Sequence, residues 1–210
     1  MRSLPAFVLL LFTAAAHAEP AKVVVFGDSI TAGGALPAAQ KSQLWVTVVE
    51  AASGGKWQMI NEGRGGRPTD SLKDFDAMLT RQPKAEVLII ALGMNDSRDI
   101  TDGCVPKAVA NVRAMVEKGR KAWGPALRVI LAGPTNIRKD ALGATKPIAD
   151  QRAAKLHELN LGFQALTTEL HAEFLSLEGL VPAASLGKDG VHPDGAGNAP
   201  IAEAVRAALK

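Results

Sequence analysis

The stretch Val87-Leu88-Ile89-Ile90-Ala91-Leu92 carries no polar side chain and runs straight into Gly93. A strand with one wet face alternates polar and apolar residues. A run that is apolar throughout suits a strand covered on both faces, as in a parallel sheet flanked by helices. Val23-Val24-Val25-Phe26, stopping at Gly27, reads as another buried strand, as does 127–131 ahead of Gly133-Pro134. Residues 57–60 and a weaker run at 174–177 bring the number of strands to five. Between them the apolar spacing becomes helical. Ser42 is placed to cap a helix over 43–52 with Leu44, Val48 and Val49 inward, and Gly54-Gly55 to end it. Pro68 is placed to open the next, with Leu72, Phe75 and Leu79 on one side. Val109, Val112 and Val116 mark a third. The stripe Leu156, Leu159, Phe163, Leu166 and Leu170 marks a long helix over 149–171, and Ile201, Val205 and Leu209 mark a last one over 198–209. Strands alternate with helices, and the connections allow right-handed crossovers. The expectation is an α/β chain: a three-layer α/β/α sandwich around a five-stranded parallel sheet. The pattern leaves strand order open.

The length, 210 residues, suits one domain. Residues 1–18 read as a secretory signal, with Arg2 at the start, an apolar centre at 7–12 and the small-residue pattern Ala16-His17-Ala18. That centre is too short to span a membrane as a helix; the alternative is a buried N-terminal helix. Cleavage after Ala18 leaves 19–210 as the folded domain, exported without stable membrane insertion, and periplasmic if the source is Gram-negative. The formal net charge is only +3 and no basic block occurs, so nucleic acid is not implied. Cys104 is the sole cysteine, which excludes an intramolecular disulfide and suggests a small packed residue. No His-Glu-x-x-His and no Cys/His cluster suggests zinc.

In an open parallel sheet, ligands bind beyond the carboxyl ends of the strands. The loops expected there carry Ser29, Gly66, Asn95, Asp189 and His192. A serine hydroxyl attacks a carbonyl only when a base takes its proton, and histidine is the side chain that titrates near neutrality. His157 and His171 fall on the long helix beside its apolar stripe, which points to surface positions and leaves His192 as the candidate base. Asp189, three residues earlier, can bond the other ring nitrogen in a tight turn. The oxyanion of a tetrahedral intermediate needs donors. The Ser29 N–H, the Gly66 N–H and the Asn95 side-chain amide are candidates. Each motif also has a plain reading. Ser29 can cap a helix, and Thr31-Ala32-Gly33-Gly34 can be a flexible turn. Gly63, Gly65 and Gly66 can form a turn, Asn95-Asp96 can cap a helix, and Asp189-Gly190 can be a turn with His192 exposed.

The joint pattern resembles the SGNH hydrolases, also called GDSL esterases and lipases. It is carried by Gly27-Asp28-Ser29-Ile30, by Gly66, by Gly93-x-Asn95-Asp96 and by Asp189-x-x-His192, spread over the chain beyond the signal. The resemblance implies Ser29 as nucleophile, His192 as base, Asp189 as its partner, and Ser29, Gly66 and Asn95 as the oxyanion hole. It also implies strand order 2-1-3-4-5, small-molecule or glycan esters as substrates, and no metal or organic cofactor. Gly66 is placed by its offset from Asn61, with Gly65 the neighbouring candidate. Ile30 stands where the family usually has Leu. Arg67 stands where the lysophospholipase and acyl-thioesterase branch tends to have Asp, and looks more like carbohydrate acetylesterases. The expectation is therefore a serine esterase for short acyl groups on a sugar or small alcohol, with a lysophospholipase or acyl thioesterase as the alternative. Arg64, Arg67 and Arg98 are candidates for a positive rim at the mouth, or are solvated loop charges. Segments 97–106 and 134–147 are placed to shape the pocket.

Rivals of other classes fit less well. An ordinary α/β-hydrolase needs Gly-x-Ser-x-Gly, and Thr31 stands in the last place. A flavin binder needs a hydroxyl-rich phosphate loop, which Ser29-Ile30-Thr31 begins and Ala32 and Gly34 do not continue; the chain also has no Tyr to stack on a flavin. A phosphatase of the haloacid-dehalogenase type needs a second Asp where Ile30 stands. A non-catalytic carbohydrate-binding role leaves the Ser, His and Asp set unexplained.

Overall fold

The computed structural model describes residues 19–210, and the expected signal segment lies outside the described residues. The strands are β1 Ala21–Gly27, β2 Trp57–Asn61, β3 Val87–Ala91, β4 Arg128–Ala132 and β5 Glu173–Leu175. They form one parallel sheet in the order β2-β1-β3-β4-β5, the order implied by the family resemblance. Gly27 pairs with Ala91 and Ala91 with Ala132, so the three inner strands end level. Their following loops therefore open on one edge.

The helices are α1 Ser29–Ala32, α2 Trp45–Ala51, α3 Leu72–Arg81, α4 Cys104–Trp123, α5 Ala149–Leu170 and α6 Gly195–Ala208. Successive strand side chains point to opposite faces. Val23, Val25, Ile89 and Ile130 pack against Trp45, Val49, Ile201 and Val205 of α2 and α6. Val24, Phe26, Leu88, Ile90 and Leu131 pack against Phe75, Val112, Met115, Leu159 and Phe163 of α3, α4 and α5. This is why the inner strands are apolar at every position. Each such side chain contributes roughly 1.5–3 kcal/mol on burial.

Several element starts differ from expectation, each for a non-local or overlooked reason. The stretch after Ser29 is a one-turn helix, because Asp28 caps it by accepting from the Ile30 N–H at 2.9 Å. Helix α2 begins at Trp45 after a 3-10 turn over Ala38–Gln43, and Ser42 does not cap it. The Trp45 N–H instead donates to Asn198 Oδ1 on α6, at 3.1 Å. Helix α3 begins at Leu72, past Pro68, because Thr69 is held by the Asp96 carboxylate. Helix α6 begins at Gly195, ahead of 198, because Asp194 accepts from the Gly197 N–H at 2.8 Å. Among the described residues, no helix is long and apolar enough to cross a membrane.

Candidate active site

Ser29 is the first residue of α1, directly beyond β1. Its Oγ lies 2.8 Å from His192 Nε2. His192 Nδ1 lies 2.5 Å from Asp189 Oδ2. Burial pushes the Asp189 carboxyl up, but hydrogen bonds from the His192 ring and from the Val191 and His192 N–H groups outweigh it and hold it at about 2. Asp189 is therefore ionised at neutral pH and can only accept. Nδ1 then carries the ring proton, and Nε2 is left to accept from the Ser29 hydroxyl.

The loop bearing Asp189 and His192 is braced. The Asp189 Oδ1 accepts from the Val191 N–H at 3.0 Å and the His192 N–H at 3.1 Å. The Gly187 N–H donates to His192 O at 2.8 Å, closing the loop on itself. Segment 134–147 reaches across to it: the Arg138 N–H donates to Gly190 O at 2.8 Å, and its Nη2 donates to Gly187 O at 3.1 Å. Gly190 has a φ of 69°, and a Cβ there would sit 2.4 Å from Arg138 O. Only glycine meets both demands.

The three candidate oxyanion donors come from the loops after β1, β2 and β3. Gly66 has a φ of 72°, the left-handed region, while a Cβ on it would meet nothing within 4 Å. Its glycine is explained by backbone conformation, where close approach had been the expected reason. Asn95 Nδ2 donates to Arg67 O at 3.1 Å, which sets the Asn95 amide against the strand of chain following Gly66. The adjoining Asp96 was not among the candidates, yet it joins the same two loops. Its carboxylate accepts from the Thr69 N–H at 3.1 Å and from Thr69 Oγ1 at 2.5 Å. Burial pushes that carboxyl up, with the Thr69 bonds opposing.

Arg67 corrects the idea of a three-arginine rim. It is only 4% exposed. Its Nη1 donates to Gly27 O at 2.7 Å and also to Glu62 O, and its guanidinium lies 4.0 Å over the Phe26 ring. It ties the ends of β1 and β2 together from inside. Arg64 pairs with Asp74 at 2.7 Å, and Arg98 is exposed beside Asn95 in a polar cleft with Asp70 and Lys107. His157 and His171 are exposed, as expected, and Cys104 is buried. Among the described residues, no cluster of His, Cys, Asp or Glu is placed to hold a metal ion.

A parallel sheet covered on both faces, with a hydrogen-bonded Ser, His and Asp array at its carboxyl edge, has the parts of a serine nucleophile, its base and the base's orienting partner. The chain belongs to the GDSL-like lipase/acylhydrolase family, whose model matches residues 25–199. It is similar in fold to Est24, a carbohydrate acetylesterase from Sinorhizobium meliloti, at 21% identity and a TM-score of 0.72, over 90% of this chain and 98% of that one. It is equally similar to the aryl esterase of M. smegmatis, at 20% identity and a TM-score of 0.72, again over 90% and 98%. A curated relative, the uncharacterized lipoprotein YqeF of Bacillus subtilis (strain 168), is 34% identical over 102 residues. That match spans 46% of this chain and 41% of the relative's length.

Proposed function

We propose that the chain is an exported serine esterase that cleaves short acyl groups from a sugar or small alcohol through an acyl-enzyme on Ser29. The observation that carries this is the unbroken array from Ser29 Oγ through His192 to Asp189, at 2.8 and 2.5 Å. Ser29 Oγ attacks the carbonyl carbon as its proton passes to His192 Nε2. Asp189 stabilises the imidazolium and holds its tautomer. The carbonyl oxygen, now an oxyanion, takes hydrogen bonds from the Ser29 and Gly66 N–H groups and the Asn95 amide. Collapse expels the alcohol, which receives the proton from His192. Water then attacks the acyl-enzyme with His192 again as base, and the carboxylic acid leaves.

Short acyl groups are favoured by the packing beside the nucleophile, where Ile30 lies against a buried apolar cluster. Nearby Met94, Leu142 and Val191 are buried against one another and fill the apolar side. Both fold relatives cited above are named as esterases, one of them for carbohydrate acetates. Export is inferred from the charge and cleavage pattern of residues 1–18, in keeping with a lipoprotein relative. The test is hydrolysis of p-nitrophenyl acetate and octanoate by the wild type and Ser29→Ala. Acetate is expected to be the faster ester, and the substitution to lower kcat at least ~10³-fold. A preference for octanoate would replace the short-acyl reading with the lysophospholipase or thioesterase one. Equal activity in the variant would remove Ser29 from the mechanism.

A further inference from the structure

Arg152 lies on α5 at only 1% exposure, and among the described residues no carboxylate pairs with it. Its nearest charged influence is the like charge of Arg98. An unpaired buried charge is costly, and an apolar residue of similar volume would serve the packing better. What the guanidinium does instead is bond two loops. Nε donates to Ser97 Oγ at 3.1 Å and Nη2 to Met94 O at 3.3 Å. Nη1 donates to Thr145 Oγ1 at 3.2 Å, in the turn Gly143–Ile148. Ser97 Oγ closes the figure by donating to Met94 O at 2.8 Å.

Asn95 sits inside that figure. Its chain neighbours on one side and two places on are the atoms Arg152 grips. On the opposite side Asp96 is held by Thr69, and the Asn95 amide reaches Arg67 O. We propose that Arg152 is a positioning residue: it fixes the Met94–Ser97 turn so that the Asn95 amide faces the oxygen of the carbonyl whose carbon Ser29 attacks. This rests on the esterase reading for its catalytic consequence, but not for its geometry.

A double-mutant cycle with p-nitrophenyl acetate separates positioning from general support. Asn95→Ala is expected to lower kcat about 10²-fold, as loss of one oxyanion donor does. Arg152→Met is expected to lower kcat about 10-fold or more with KM within about 2-fold, and to add little in the Asn95→Ala background. Arg152→Lys is expected to recover part of the loss. The same drop in both backgrounds would overturn the proposal. Ser97→Ala, which removes the Nε acceptor and leaves the guanidinium in place, is expected to repeat the effect more weakly, and serves where Arg152→Met does not fold. A readout independent of turnover is the Asn95 side-chain amide pair in a ¹⁵N–¹H spectrum, identified by its absence in Asn95→Ala. It is expected to shift or broaden in Arg152→Met and Ser97→Ala, while the Asn136 pair stays. An unmoved Asn95 pair would overturn the inference. A wild type inactive on both esters would overturn the esterase reading alone.

Discussion

Asp28 is 3% exposed and caps α1 beside the Ser29–His192 pair. Burial raises its carboxyl from 3.8 to about 6, with the Ile30 N–H bond and the His192 charge opposing. A raised carboxyl stabilises the fold fully below its unfolded value, near 3.8, and that stability is lost as pH rises through about 6. Asn keeps the cap and does not titrate. Asp28→Asn is therefore expected to gain on the wild type by roughly 2 kcal/mol between pH 4 and pH 8, most of the linkage value of a two-unit shift. Urea unfolding of both proteins at the two pH values measures this, and a difference that does not change with pH counts against it. Single residues also divide sharply in how legible they were. That Ser29, Asp189 and His192 meet could be read because each sits in a short motif whose partners follow from chemistry. The contacts of Arg67, Asp96 and Arg152 could not, since their bonds run to Gly27, Thr69 and Met94 on other loops. For Arg152 a signal did exist: it falls four places before Leu156, in phase with the buried stripe of α5.

Elements follow the same division. The strands and the bodies of the helices were legible because an apolar period needs no knowledge of the partner. Helix starts were not, where the cap came from elsewhere in the chain. Ser42 looked like a local cap for α2, but the cap is Asn198, 153 residues away from Trp45. Asn198 is 2% exposed and also donates to Asp194 O at 2.8 Å, so it joins α2 to the segment that follows His192. Asn198→Ala leaves the Trp45 N–H buried without an acceptor, a loss of roughly 1–3 kcal/mol. Ser42→Ala is expected to stay within about 0.5 kcal/mol of the wild type. Denaturant midpoints for the two variants decide between them, and a larger loss in Ser42→Ala would restore the local cap.

At the scale of the whole molecule, the strand order makes β1 an inner strand, paired with the edge strand β2 on one side and with β3 on the other. That puts a limit on where processing can cut. The Ala21 N–H donates to Lys56 O at 2.9 Å and the Lys22 N–H to Glu86 Oε2 at 2.8 Å, while Glu19 and Pro20 are exposed. A cut after Ala18 thus spares every bond of β1, and the same strand presents Ser29 at its carboxyl end. The proposed export predicts that intact-mass measurement of protein recovered outside the cytoplasm finds Glu19 as the first residue. Residues 19–210 produced alone are expected to unfold in one cooperative transition. Removal through Val24 takes away Val23 and Val24, both with 0% exposure, and splits the sheet between β2 and β3. That shortened chain is expected to show no cooperative transition. If it folded and kept esterase activity, β1 could not be what joins β2 to the rest of the sheet and holds Ser29 in place.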